Sequence, residues 1–137
     1  MCLIAEPVNT QRLLEKLHPI VTVWKVVKRI PNSIQSPHYY TPYYCKRIKQ
    51  KGWMRSNRRW YTPTIERFFS LPHPYYSVRK GIHVYLDKRT AVGMSHILQG
   101  DVVRCRALRS DLVACDGLQS HAVFTKIYVP KLDIRTI

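Results

Sequence analysis

The clearest alternation of apolar and polar side chains lies in the second half of the chain, from residue 81 onward. In residues 101–109 apolar side chains alternate with polar ones, and Arg104 and Arg106 hold two of the polar positions. Successive side chains of a strand point to opposite faces. The alternation therefore predicts a strand with one buried face and one basic face in water.

Further strands and one helix are predicted around this segment. Short apolar runs bounded by turn residues predict strands over 81–86, 112–115 and 122–129. Asp87 stands directly before a stretch of helical spacing and can accept hydrogen bonds from its first backbone amides. This placement predicts a helix over 88–98.

The beginning of the chain predicts one helix and one strand. Leucines recur at helical spacing in residues 10–18, where Thr10 is a suitable cap and Pro19 ends the helix. Residues 20–28 are β-branched and mostly apolar, with the first charge at Lys25. This composition is typical of a strand that is buried on both faces for much of its length.

Residues 30–80 break this regularity. They contain six of the nine prolines and most of the aromatic residues of the chain. Each proline lacks the amide donor that a helix or a central strand needs. Disordered segments are poor in aromatic residues, so we interpret 30–80 as a long insert that folds over the core.

Two pieces of this insert have an interpretable pattern. A two-residue turn at 56–57 would place Trp53 opposite Trp60 in a hairpin, where the two indoles would form a cross-strand pair. Downstream, a threonine followed by a proline at the first helical position predicts a short helix over 62–70.

These elements predict a single α+β domain over residues 1–137. The sheet is expected to be mixed or antiparallel, with two or three short helices packed on it and the basic, Pro- and aromatic-rich insert of 30–80 within the domain. A length of 137 residues suits one hydrophobic core. No apolar run is long enough for a membrane span, and the first residues lack a secretory signal pattern, so an intracellular protein is expected.

The charge changes the functional picture. The formal net charge is +15 at pH 7, and residues 25–60 carry ten lysines and arginines with no acidic residue. Solubility needs only a modest net charge of either sign. Positive charge concentrated in one quarter of the chain therefore favours a polyanionic partner.

Nucleic acid is the partner that this stretch suits best. Cations neutralise phosphates, and aromatic rings between them can stack on unpaired bases. No pattern of a sequence-specific nucleic-acid domain is found, so binding without sequence specificity is predicted. The predicted site residues are Lys46, Arg47, Lys49, Lys51, Trp53, Arg55, Arg58, Arg59 and Trp60.

Several segments together resemble a known set of proteins. The segments VWKVVK, GIHVYL, VVRCRAL, DLVAC and AVFTKIYV are similar to strand cores of short, uncharacterised proteins encoded by tailed phages and large DNA viruses. The resemblance implies a viral-type accessory protein, located in the host cytoplasm or nucleus or in the virion, and implies no activity.

A second hypothesis is a structural or interaction protein of a virus particle. Tyrosine, tryptophan and arginine are enriched at protein interfaces, and adjacent tyrosines recur within the insert. Such a surface would explain the aromatic residues as well as nucleic-acid binding does. It explains the charge less directly, unless the partner is acidic.

A third hypothesis is an enzyme. The strand over 81–86, followed by a capped helix, resembles the NAD-binding strand of ADP-ribosyl transferase-like folds, with His83 and Tyr85 as the matching residues. The candidate carboxylates, Glu66 and Asp111, do not lie in a motif. No catalytic motif is recognised, so a non-enzymatic protein is expected.

Cofactor and metal sites are not predicted. The six histidines and four cysteines lack the spacing of zinc ligands, and no glycine-rich phosphate loop is present. Cys105 and Cys115 lie in strand-like segments, where a free thiol behaves as a small buried apolar group.

Overall fold

The computed structural model describes residues 3–5, 7–30, 38–40, 48, 51–55, 65–67, 76–78 and 81–132. Among these residues the helices are α1 (Pro7–Lys16), α2 (Lys88–Leu98) and a 3₁₀ turn (Arg109–Asp111). Its strands are β1 (Leu3–Ala5), β2 (Ile20–Ile30), β3 (His38–Tyr40), β4 (Gly52–Arg55), β5 (Ile65–Arg67), β6 (Tyr76–Val78), β7 (Ile82–Tyr85), β8 (Asp101–Leu108), β9 (Leu112–Cys115), β10 (His121–Phe124) and β11 (Lys126–Val129).

Seven strands form the main sheet, in the order β4-β11-β8-β2-β7-β10-β9. Every neighbouring pair is antiparallel, and β3 pairs with the far end of β2. A separate three-stranded sheet has the order β1-β6-β5. The prediction of a single α+β domain with a mixed or antiparallel sheet and short helices is confirmed at this level, and the described strand pairs are antiparallel.

The main sheet is strongly curled. Strands β10 and β11 are joined only by Thr125, yet β8, β2 and β7 lie between them in the sheet order. Four strand spacings in a flat sheet would amount to about 19 Å, whereas a one-residue link spans about 7 Å. The sheet therefore bends back on itself, and its concave side becomes the interior of the domain.

Asp111 holds the bend. The backbone N–H of Thr125 donates to the Asp111 carbonyl oxygen at 2.9 Å, and the Thr125 hydroxyl lies 3.4 Å from Asp111 Oδ1. Asp111 ends the turn between β8 and β9, and Thr125 links β10 to β11. The two connections thus form one corner, at which the β8–β11 half of the sheet turns into the β9–β10 half.

All seven strands contribute to one buried cluster on the concave side. Leu13 of α1 extends into the same cluster, and Thr10 accepts a hydrogen bond from the backbone N–H of Cys115 on β9 at 3.2 Å. Representative members of the cluster are Val23, Met54, Val84, Cys105, Cys115, Phe124 and Ile127. The predicted burial of Cys105 and Cys115 is confirmed.

Helix α2 covers part of the convex side. The Asp87 side chain accepts from the backbone amides of Arg89 and Thr90, as predicted for a helix over 88–98. Ala91 packs with Val26 and Tyr85 of the sheet. The helix ends at Gln99, which takes the left-handed conformation expected at such a C-cap position.

Three local predictions were wrong. Thr10 lies inside α1, which begins at Pro7, because the favourable first-turn proline precedes it. The predicted strand over 122–129 is interrupted at Thr125, where the chain turns the corner. Within the predicted helix over 62–70, β5 is a strand, because it pairs with β6.

Most of the predicted insert lies outside the described residues, and its folding over the core stays a prediction. The described pieces include β4, which pairs with β11. The predicted partner of β4 in a tryptophan hairpin, around Trp60, lies outside the described residues. Among the residues the structure describes, no helix is both long and apolar enough to cross a membrane.

Gly81 lies directly before β7 in a tightly constrained position, and its replacement tests the packing of β7 on β10. Its φ is +116°, and a Cβ there would lie 2.3 Å from Val123 Cγ1. We expect Gly81→Ala to lower the free energy of unfolding by about 2–4 kcal/mol in urea denaturation.

Gly93 is the matched control for this experiment. It lies in the exposed middle of α2, and a Cβ there meets nothing within 4 Å. Gly93→Ala should therefore raise stability by about 0.5–1 kcal/mol. Equal effects of the two substitutions would contradict the packing described here.

Candidate nucleic-acid interface

Strand β4 presents its polar and aromatic side chains on the convex side of the sheet. Met54 is buried in the concave cluster, whereas Trp53 and Arg55 on either side of it are exposed. This is the alternation that a strand with one buried face produces. Trp53 is 39% exposed, which is unusual for so large an apolar side chain.

Strand pairing aligns Trp53 with residues from distant parts of the sequence. Trp53 lies opposite Tyr128 of β11, Tyr128 lies opposite Arg106 of β8, and Arg106 lies opposite Thr22 of β2. Adjacent strands are about 4.8 Å apart. An indole, a phenol and a guanidinium therefore stand side by side in one row across the sheet.

Further cations flank this row. Arg55 lies opposite Lys126 between β4 and β11, and Arg104 precedes Arg106 by one full strand repeat on β8. The arginines are exposed and Lys126 is half-buried. We call this surface the basic face; it consists of Trp53, Arg55, Arg104, Arg106, Lys126 and Tyr128.

Direct contacts order the aromatic part of the basic face. The rings of Trp53 and Tyr128 meet edge to face, with centroids 5.6 Å apart and planes at 74°. The Lys126 ammonium lies 4.8 Å from the centroid of the Trp53 ring, a cation–π distance. Lys126 Nζ is also 3.8 Å from Asp111 Oδ2, so the corner of the sheet holds this lysine over the indole.

Helix α2 covers the neighbouring part of the convex side and so limits the basic face at that end. The helix packs over Val26, and Val102 packs beside it at the beginning of β8. Further along the same strand, Arg104 and Arg106 are exposed. One end of β8 thus supports a helix, while the other end presents arginines to solvent.

The structure brings part of the predicted site together. Trp53 and Arg55 belong to the basic face, and Lys51 is exposed directly before β4. The other predicted site residues lie outside the described residues: Lys46, Arg47, Lys49, Arg58, Arg59 and Trp60.

Sequence reasoning missed four members of the basic face. The alternation in β8 predicts a basic strand face with Arg104 and Arg106 but does not assign them to the site. The sequence singles out neither Lys126 nor Tyr128. The alternation of Lys126 and Tyr128 with buried Ile127 and Val129 was a usable signal. Nothing in the local sequence indicates that this segment pairs with β4.

Lys25 does not belong to any exposed surface, although it counts among the cations of 25–60. It is buried on the concave side, where Nζ donates to the backbone carbonyl of His83 at 2.7 Å. Burial lowers the pKa of Lys25 to about 8, against an opposing effect of Cys105. The Lys25 ammonium thus links β2 to β7. The backbone pairing of these two strands is limited to Trp24 opposite Tyr85.

A second polar cluster lies on β7 and β10. His83 and Tyr85 share one face of β7, as the enzyme hypothesis required, and His121 lies opposite Tyr85. His83 Nδ1 and His121 Nε2 are 3.2 Å apart, and the Tyr85 ring stacks on His121 with centroids 5.2 Å apart.

The cluster lacks the carboxylates that the enzyme hypothesis considered. Asp111 is engaged at the corner of the sheet, and Glu66 lies on β5 in the smaller sheet. Neither residue is on β7 or on the strands that flank it. The ADP-ribosyl transferase-like hypothesis therefore gains no support from the geometry and stays a prediction.

Comparison of the chain with protein-family models, with curated proteins and with solved structures found no match. The functional argument therefore depends on the geometry of the basic face.

The half-buried imidazole of His121 makes stability depend on pH. Burial, followed by the neighbouring His83, lowers the pKa of His121 from 6.5 to about 4, although Asp116 opposes the shift. Between these two pH values the unfolded chain binds more protons than the folded one, so stability falls as the pH falls from 6.5 to 4.

Urea denaturation between pH 4 and pH 7.5, in buffer containing EDTA, measures this effect. We expect the free energy of unfolding to decrease by at most about 1.4 kcal/mol for each pH unit below 6.5. His121→Gln should have a flatter profile in this window. Identical slopes for the two proteins would show that His121 is not responsible.

Proposed function

We propose that the protein binds nucleic acid, without sequence specificity, through the basic face. The observation that carries the proposal is the row of Trp53, Tyr128 and Arg106 on three adjacent strands, flanked by further cations. Folding gathers these residues from separate parts of the chain onto one exposed surface. The arginines and the indole are exposed, so they are available to a ligand.

The cations supply affinity for phosphates. Arg55, Arg104 and Arg106 are exposed, and an arginine can donate two parallel hydrogen bonds to a phosphate. Each phosphate contact releases condensed counterions, which makes binding favourable at low salt. The net charge of +15 adds long-range attraction that speeds encounter with any polyanion.

The aromatic pair favours single-stranded over double-stranded nucleic acid. Bases in a duplex are stacked on one another, whereas an unpaired base can stack on an indole or a phenol. Lys126 now lies over the Trp53 ring. A lysine side chain is flexible, so its ammonium can move to a phosphate while a base takes its place on the indole.

A protein partner within a virus particle is the alternative occupant of the same surface. Tryptophan, tyrosine and arginine are also the residue types enriched at protein interfaces. This proposal includes a viral-type accessory role, in the host cell or in the virion. Only the resemblance of the strand segments supports that role. Salt separates the alternatives, because phosphate binding is screened and an aromatic protein contact is much less so.

The arginines of β8 can be tested by a salt titration. Affinity for a labelled single strand should fall steeply with salt, with a slope of log K on log [salt] of several units. Arg104→Ala/Arg106→Ala should reduce the magnitude of this slope by about 1.4, since each lost phosphate contact removes about 0.7 for a single strand.

Arg12→Ala is the matched control, because Arg12 is an exposed arginine on α1. It should leave the slope unchanged. The proposal fails if the wild-type protein does not bind a single strand at low salt, or if Arg12→Ala weakens binding as much as the double substitution on β8.

Trp53 can be tested separately as a stacking platform. Trp53→Ala should weaken single-strand binding by about 1–3 kcal/mol in a fluorescence anisotropy titration and should affect duplex binding less. Trp53→Phe should retain part of the affinity, because a phenyl ring still stacks. Equal losses on single strand and duplex would argue against stacking and leave Trp53 a structural role.

A further inference from the structure

The pair of histidines on β7 and β10 is not used by the proposed function. His83 and His121 come from positions 38 residues apart in the sequence, and both rings are half-buried. Their ring centroids are 5.3 Å apart, with the planes tilted by 52°. The two ring nitrogens that face each other, Nδ1 of His83 and Nε2 of His121, are 3.2 Å apart.

We propose that His83 and His121 together bind one divalent transition metal ion, of which Zn²⁺ is the probe of choice. Imidazole nitrogens bind zinc at 2.0–2.1 Å with tetrahedral geometry, which places two such ligands about 3.3 Å apart. The observed distance of 3.2 Å between the two nitrogens is close to this value, and a small side-chain rotation removes the difference. The two side chains therefore already have the ligand spacing that a metal ion would need.

The protonation state also suits coordination. A hydrogen bond between two imidazole nitrogens requires one N–H donor and one acceptor lone pair, so one ring already presents a lone pair to the site. The donating ring can expose its lone pair by carrying its proton on its other nitrogen. That is the other neutral tautomer, so coordination by the two neutral rings releases no proton.

Neighbouring groups hold the His121 ring in place. Tyr85 stacks on it with the planes 29° apart. The backbone N–H of His121 donates to Asp116 Oδ1 at 3.2 Å, and the backbone N–H of Asp116 donates to the His121 carbonyl at 2.9 Å. Ligands that are fixed before binding lose less entropy when the metal arrives.

The protein supplies two ligands in this proposal, and water supplies the others. Among the described residues, no group of three or more histidine, cysteine, aspartate or glutamate side chains is gathered in a metal-binding arrangement. Imidazole ligands suit zinc, copper and nickel and do not suit magnesium or calcium. The expected affinity is thus that of a modest, exchangeable site selective for transition metals.

Isothermal titration of Zn²⁺ into EDTA-stripped protein at pH 7.5 tests the proposal. We expect one zinc ion per chain, no comparable heat with Mg²⁺, and at least tenfold weaker binding for His83→Asn and for His121→Asn. His96→Asn, which removes an exposed histidine on α2, should bind zinc like the wild type.

The folded state of each variant is checked by thermal denaturation in EDTA. A metal site further requires that Zn²⁺ raise the melting temperature of the wild type and of His96→Asn, but not of His121→Asn. The proposal is overturned if the wild type does not bind zinc, or if His96→Asn loses as much affinity as the variants of the pair. Binding that survives both substitutions of the pair would equally overturn it.

Discussion

Strands β10 and β11 are joined by one residue, yet three strands separate them in the sheet, and this constraint shapes the whole domain. The connection is possible only because the sheet curls, and the backbone hydrogen bond between Thr125 and Asp111 holds the corner. Curling gives the sheet a closed concave side, on which apolar residues of all seven strands are buried together. It also gives the sheet a convex side, where α2 and the basic face share the available surface.

The corner links the fold to the candidate interface. Asp111, which binds the backbone at the bend, also lies close to the Lys126 ammonium, and Lys126 lies over the ring of Trp53. The Asp111 carboxylate therefore lies beside a strongly basic surface because Asp111 is part of the bend in the sheet. The two histidines occupy a different part of the sheet, on β7 and β10, and depend on the pairing of those strands rather than on the corner.

The basic face shows how far a site can be predicted from residue types alone. Trp53 and Arg55 were recognised because they lie in a dense run of cations and aromatic residues. Tyr128 and Lys126 lie far away in sequence, in a segment whose charge is unremarkable, and they join the face only because β11 pairs with β4. Lys25 shows the opposite error, since a residue counted with the basic stretch is buried and bridges two strands.

By itself, the sequence determined the features that depend on residues a few positions apart. These include the alternation in Asp101–Leu108, the helix that begins after Asp87, and the net positive charge. Tertiary structure alone decided the interruption at Thr125, the strand at Ile65–Arg67, the row across β4, β11 and β8, and the meeting of the two histidines. The physical reason is that periodicity and capping arise from local geometry. Strand partners are instead selected by the burial of surfaces that the folded chain brings together from distant positions.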